Sequence, residues 1–130
     1  MIKKLKINHK DKRGFILDIF VKKNINHCTI VSFNKNSIRG NHYHKKSFQY
    51  SFILDGKFLF REKKITKKTN PKSKIKSNLL NKNNYIEHKP FNAHAFKCLS
   101  NSGKMIAFSK GLRGGKDYEK DTFRLTDKLI

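Results

Sequence analysis

Apolar and polar residues alternate with a period of two in short runs along most of the chain. Phe48, Tyr50, Phe52 and Leu54 alternate with Gln49, Ser51 and Ile53, the pattern of a half-buried strand. His27–Phe33 sets Cys28, Ile30 and Ser32 opposite Thr29, Val31 and Phe33, and Gly14–Phe20 sets Phe15, Leu17 and Ile19 opposite Ile16, Asp18 and Phe20. Beyond Pro90, His94, Phe96 and Cys98 share a face opposite Ala95, Lys97 and Leu99, and Met105–Ser109 reads as the last clear strand. Ile2, Leu5 and Ile7 predict a short first strand; Ile75, Leu79 and Leu80 predict a weak one. Turn residues punctuate these runs at Asn34–Ser37, Asn81–Asn84 and Asn101–Gly103. Asp55-Gly56 lies between two alternating runs and predicts a hairpin into a strand over Lys57–Arg61. No stretch sustains a period of 3.6 residues, and no internal repeat is present. Many short strands with close turns predict an all-β sandwich or barrel, one domain over residues 1–130. Residues 62–77, thick with lysine and interrupted by Pro71, predict a loop or a ragged hairpin. The tail opens at Gly111 as a glycine-rich loop and ends in a short strand or helix.

Composition changes this picture in one respect. The formal net charge is +22, with 31 Lys and Arg against 9 Asp and Glu. Lysine supplies nearly all of the positive charge and is spread over every segment. Nucleic-acid interfaces cluster their charge and use arginine at bases, so the balance argues against nucleic acid and for an anionic small ligand. Cys28 and Cys98 each sit in an apolar run, which predicts two buried thiols and a reducing compartment. No apolar run approaches membrane-spanning length, and the first ten residues lack the apolar core of a secretory signal. The expectation is a cytoplasmic protein with no membrane association.

The chemistry concentrates between Gly40 and Gly56. His42 and His44 stand two apart and so point to one face of a strand. With Gln49, five residues on, they could converge on one face of a small sheet, and His94 could join them from another strand. Imidazoles suit zinc, iron, manganese or nickel, and three from two strands can hold an ion, with the neutral Gln49 amide as a weak fourth ligand. The same groups also serve without a metal, because a neutral histidine beside a carbonyl can move a proton. The residues alone leave both uses open.

Gly40-x-His42-x-His44, four residues, Gln49, six residues and Gly56 resembles the first motif of the cupins, and Lys89-Pro90 followed by His94 resembles their second. The resemblance implies an antiparallel jelly-roll barrel with its site inside. Asp11–Phe20 (DKRGFILDIF) is similar to the opening signature of the sugar-nucleotide branch, Arg39-Gly40-Asn41-His42 to the signature of its catalytic strand, and Asp117–Leu125 to its tail. In the dTDP-4-dehydrorhamnose 3,5-epimerases, residues matching Arg13 and Arg39 hold the diphosphate, and the one matching His42 is the base. The dTDP-4-keto-6-deoxyhexose 3,4-ketoisomerases, closer in His44-Lys45-Lys46 and Gln49, carry two histidines and need no metal. RGNHYH also resembles the cupin domain of capsular-polysaccharide assembly proteins, some of which bind zinc.

What the resemblance implies is an isomerase or epimerase of a nucleotide-linked 4-keto-6-deoxy sugar in surface-polysaccharide biosynthesis. His42 would be the base and His44 a second proton carrier; Arg13, Arg39, Gln49 and His94 would bind substrate. No cofactor is then expected, and a homodimer is, since these families pair through exchange of strands near the N-terminus. The epimerases' tyrosine acid and acidic partner for the histidine have only Tyr43 and Asp18 as candidates here. Two other functions compete. One is a metal cupin, dioxygenase-like or other, with His42, His44, His94 and Gln49 around the ion; the other is a non-catalytic sugar-binding cupin.

Overall fold

The structure is a computed structural model that describes residues 1–66, 73–117 and 119–130. Twelve strands run in chain order: β1 (Ile2–Lys4), β2 (His9–Asp11), β3 (Gly14–Ile16), β4 (His27–Asn34), β5 (Ile38–Tyr43), β6 (Phe48–Asp55), β7 (Phe58–Lys64), β8 (Lys76–Leu80), β9 (Asn84–His88), β10 (Asn92–Cys98), β11 (Ser102–Lys110) and β12 (Phe123–Arg124). Two five-stranded sheets, ordered β1-β9-β6-β11-β4 and β12-β5-β10-β7-β8, carry all of them except the separate β2-β3 hairpin. Every pairing is antiparallel. This is the expected all-β jelly roll. Among the described residues the one helical turn is a 3₁₀ segment at Gly115–Asp117.

From β4 onward the chain crosses between the sheets at every connection except β7 to β8. That corrects the reading of Asp55-Gly56. The turn forms, with Gly56 at φ +95°, but it carries the chain from β6 in one sheet to β7 in the other, and the two strands do not pair. A turn signal records local backbone geometry and not which strand receives the ladder bonds. The strands that flank the lysine-rich stretch, β7 and β8, pair antiparallel; residues 67–72 of the stretch lie outside the described residues.

One end of the barrel is filled by Phe33, Ile53, Phe58, Phe60, Phe96 and Met105, all nearly inaccessible to solvent. Strand β6, expected to be half buried, is covered on both faces, and so is β10. In β6 the more polar set, Gln49 and Ser51 with Ile53, points into the barrel, while Tyr50 and Phe52 pack outside under Leu17, Ile19 and Phe20 of the N-terminal segment. In β10, His94, Phe96 and Cys98 face inward, and Ala93 and Ala95 are covered by Leu125, Leu129 and Ile130. The run predicted over Gly14–Phe20 is a strand only to Ile16, because its later apolar residues are recruited to this cover. Cys98 is buried as expected, whereas Cys28 is exposed on the outer face of edge strand β4. No helix among the described residues is long and apolar enough to cross a membrane.

Candidate active site

The open end of the barrel holds a cavity of about 860 Å³. A β-bulge decides which side chains enter it. His42 pairs with His94 and Gly40 with Ala95, so Asn41 is an extra residue in β5, at φ +56°. Without it, Arg39 and His42, three apart, would face opposite ways; with it, both turn toward the cavity. Asn41 itself turns outward, where its Oδ1 accepts from the Leu129 and Ile130 N–H groups and its Nδ2 donates to the Ile130 carbonyl. Gly40 is required here twice over. It lies at φ +98°, and a Cβ on it would stand 2.6 Å from the His94 carbonyl oxygen.

His42 and His94 face each other edge-on, ring centroids 4.9 Å apart, and both line the cavity with Gln49. Gln49 does not share their sheet: it comes from β6, across the barrel, so the expected convergence on a single sheet face is replaced by convergence between two sheets. His44 is buried behind His42, centroid to centroid 5.0 Å, and does not line the cavity. Its Nδ1–H donates to the Asp121 carbonyl at 2.8 Å, and its Nε2 lies 3.0 Å from Gln49 Oε1. Burial foremost, with Arg113 nearby, pushes His44 toward the neutral form against the Asp121 hydrogen bond. A neutral ring with its proton on Nδ1 accepts at Nε2, which calls for the Gln49 amide turned end for end so that its NH₂ faces the ring. Asp121 also closes the turn after β5, its carboxylate accepting from the N–H groups of Lys45, Lys46 and Ser47.

His42 is pushed down to about 3, by burial first and then by His44, Arg113 and Arg124. Its Nδ1 is buried without a partner, and the half-buried ring lines the cavity. His94 donates Nδ1–H to the Asn92 carbonyl at 3.1 Å, while its Nε2 is buried and unpaired. Behind His94 stands His88, 4.2 Å away between ring centroids, its Nε2 bonded to Ser51 Oγ at 3.0 Å.

Four cationic side chains, Arg39, Arg113, Arg124 and Lys128, line the cavity, and no Asp or Glu among the described residues does. Arg13 lies elsewhere. It sits in the turn of the β2-β3 hairpin, highly exposed and paired with Asp11 at 2.7 Å. Tyr43 points away and stacks between Phe91 and Phe123, and Asp18 is an exposed residue outside the cavity. Sequence reasoning missed His88, Arg113 and Asp121. His88 shares strand parity with buried Ile86 and was legible on that ground. Arg113 and Asp121 sit in irregular segments, where no periodicity says which way a side chain points.

His42, His44 and His94 each offer a nitrogen, all within 4.8 Å of one another. His44 Nε2 is engaged by Gln49, and four cationic side chains face the same space, so an ion held here would have to displace that contact and share the cavity with those charges.

Two facing antiparallel sheets with histidines from neighbouring strands in the cavity between them make a jelly roll of the cupin type. The chain belongs to the family described as "Polysaccharide biosynthesis C-terminal domain", which matches residues 9–111. No curated protein matches it. Solved structures do. The dTDP-4-dehydrorhamnose 3,5-epimerase from Sulfolobus tokodaii is 22% identical, with a TM-score of 0.79 over 99% of this chain and 80% of its own. QdtA, a sugar 3,4-ketoisomerase from Thermoanaerobacterium thermosaccharolyticum solved with TDP, is 20% identical, with a TM-score of 0.76 over 97% and 88%. A 3,4-ketoisomerase from Helicobacter canadensis is 18% identical, with a TM-score of 0.77 over 96% and 90%. These likenesses establish the jelly-roll cupin fold of the sugar-nucleotide enzymes.

Proposed function

We propose that the protein is an isomerase or epimerase that moves a proton beside the ketone of a nucleotide-linked 4-keto-6-deoxy sugar. One observation carries this reading: a half-buried histidine, His42, stands in a cavity lined by four cations and, among the described residues, no acid. A diphosphate matches that charge, and a C–H beside a ketone is acidic enough for an imidazole. The similarity to epimerases and ketoisomerases supports the same reading.

His42 acts as the base. In the free protein it is neutral but weakly basic, because burial and its cationic neighbours disfavour the imidazolium. A bound diphosphate brings negative charge into the same space, offsets those cations and raises His42 toward a useful range. Arg39 holds the diphosphate at the rim, where its Nε donates to the Ser32 carbonyl and its guanidinium lies over the Phe33 ring. His94 and Gln49 border the sugar. His44, sealed and bonded at both nitrogens, keeps Gln49 and the back of His42 in place and does not itself carry protons.

The test is solvent exchange. Incubated in D₂O with TDP-4-keto-6-deoxyglucose and excess chelator, the protein should place deuterium on the carbon beside the ketone. Absence of exchange with nucleotide-linked keto sugars, together with a different activity that chelation abolishes, would replace this reading with the metal cupin. Binding of the sugar nucleotide without exchange would leave the non-catalytic cupin.

Arg13 can hold substrate only if it comes from a second copy. Phe15 and Ile16, beside it in the β2-β3 hairpin, are 48% and 61% exposed, an apolar pair in search of cover. We infer a homodimer in which this hairpin docks at the partner's cavity. Light scattering at micromolar concentration should give twice the chain mass, and Arg13→Ala should raise KM without lowering kcat. A monomer with unchanged KM would remove Arg13 from the site.

A further inference from the structure

Removing the proton sends charge to the ketone oxygen. As His42 Nε2 takes the proton, the C–H electron pair becomes a C=C bond and the carbonyl π pair moves onto oxygen, leaving an enolate. That oxygen needs a fixed donor, ideally a desolvated cation. We propose that Arg113 is the catalytic residue that supplies it, an inference that rests on the proton-transfer function argued above.

Burial singles Arg113 out. Of the four cations lining the cavity, Arg39, Arg124 and Lys128 are exposed, and Arg124 is paired with both oxygens of Glu119. Arg113 is 7% exposed. A charge held away from water acts at far greater strength than one on the rim. Exposed cations suit a diphosphate, which is charged before, during and after reaction; a buried one suits charge that develops deep in the cavity.

The chain around Arg113 is clamped for this aim. A Cβ on Gly111, at φ +132°, would stand 2.5 Å from Ser47 Oγ, and one on Gly114 would stand 2.7 Å from the His27 ring. The Asn26 side chain both donates to the Gly111 carbonyl and accepts from its N–H, and Leu112 N–H donates to Ser47 Oγ. Arg113 itself donates to Thr122 Oγ1 at 2.9 Å. The glycine-rich stretch after β11 is therefore a tight bracket that presents one guanidinium beside His42, whose basicity it lowers. When the proton returns to carbon, the electron pair leaves the oxygen, the carbonyl reforms and Arg113 gives up its extra charge contact.

Deuterium exchange and turnover with TDP-4-keto-6-deoxyglucose decide the matter in three variants. Arg113→Gln should lower kcat by about 10²–10³ with KM changed less than about threefold. Arg113→Lys, which keeps the charge, should recover at least about tenfold of that loss. Thr122→Val, which leaves the charge but removes its bond to Thr122, should lower kcat several-fold and serves if Arg113→Gln fails to fold. The low-pH limb of kcat/KM should also move upward in Arg113→Gln, as His42 loses a cationic neighbour. A folded Arg113→Gln, or else a Thr122→Val, that keeps kcat within about twofold while KM rises would make Arg113 a diphosphate ligand and overturn the inference. Exchange by the wild-type protein separates the two failures: without it the proton-transfer function falls and takes this role with it, and with it a silent Arg113→Gln sinks the role alone.

Discussion

His42→Asn should bind a TDP-linked keto sugar with affinity close to the parent's and turn it over about a hundred- to ten-thousand-fold more slowly. Asparagine keeps a polar side chain of similar reach but has no basic nitrogen. The position tolerates it because His42 is half buried at the mouth and its Nδ1 makes no hydrogen bond that would be lost. Two alternatives predict otherwise. If His42 served mainly to bind, affinity and turnover would fall together. If it held a metal, both His42→Asn and His94→Asn would deplete the ion, and the parent would lose activity to chelator. Isothermal titration beside single-turnover kinetics separates the three, and a variant that keeps kcat within about threefold would remove His42 as the base.

The protein should unfold in mild acid, and the buried histidines should set the slope. His88 is completely buried and pushed down to about 3, chiefly by desolvation, and His94 lies well below its ordinary value for the same reason. In the unfolded chain both titrate near 6.5. Between those limits the unfolded state binds more protons, so stability is complete above about pH 6.5 and is lost as pH falls. Two such groups contribute roughly 2.7 kcal/mol per pH unit once pH is well below 6.5. A domain with about 5–7 kcal/mol in hand, the low end of the usual range, then unfolds between about pH 4 and 5. His88→Phe should remove about one proton from the slope while leaving Ser51 without its partner. Denaturant midpoints from pH 8 to pH 4.5 would show it. A parent whose stability is flat from pH 7 to 5 would mean that the imidazoles reach water or a counter-charge when protonated.

Strand-by-strand periodicity carried the fold class, because residues two apart must share a face whatever the strand pairs with. It placed His42 with His44 and His94 with Phe96 correctly, and Gly40 and Gly56 do stand where positive φ is needed. Parity failed wherever a second layer covered the far side. Tyr50 and Phe52 look like a core face, yet they lie outside the barrel under Leu17, Ile19 and Phe20, and the polar set of β6 is the inner one. Alternation says that two faces differ, not which one is inside.

The site divides along the same line. The two-residue spacing put His42 and His44 on one side of the chain, although β5 ends one residue before His44, and the cationic composition already matched an anionic ligand; both are local or additive properties. Arg39 joins His42 only because Asn41 is bulged and bonded to residues 88 and 89 positions further on. Gln49 meets His44 only because β5 and β6 belong to opposing sheets, and Arg113 enters only because Ser47, His27 and Thr122 bracket its loop. Arg13, grouped with the site by its motif, stays outside this chain's cavity because it sits in the exposed turn of a separate two-stranded hairpin. The residue types with the chemistry were in the local pattern. Which of them share a cavity was set by contacts between distant segments, and no local period encodes those.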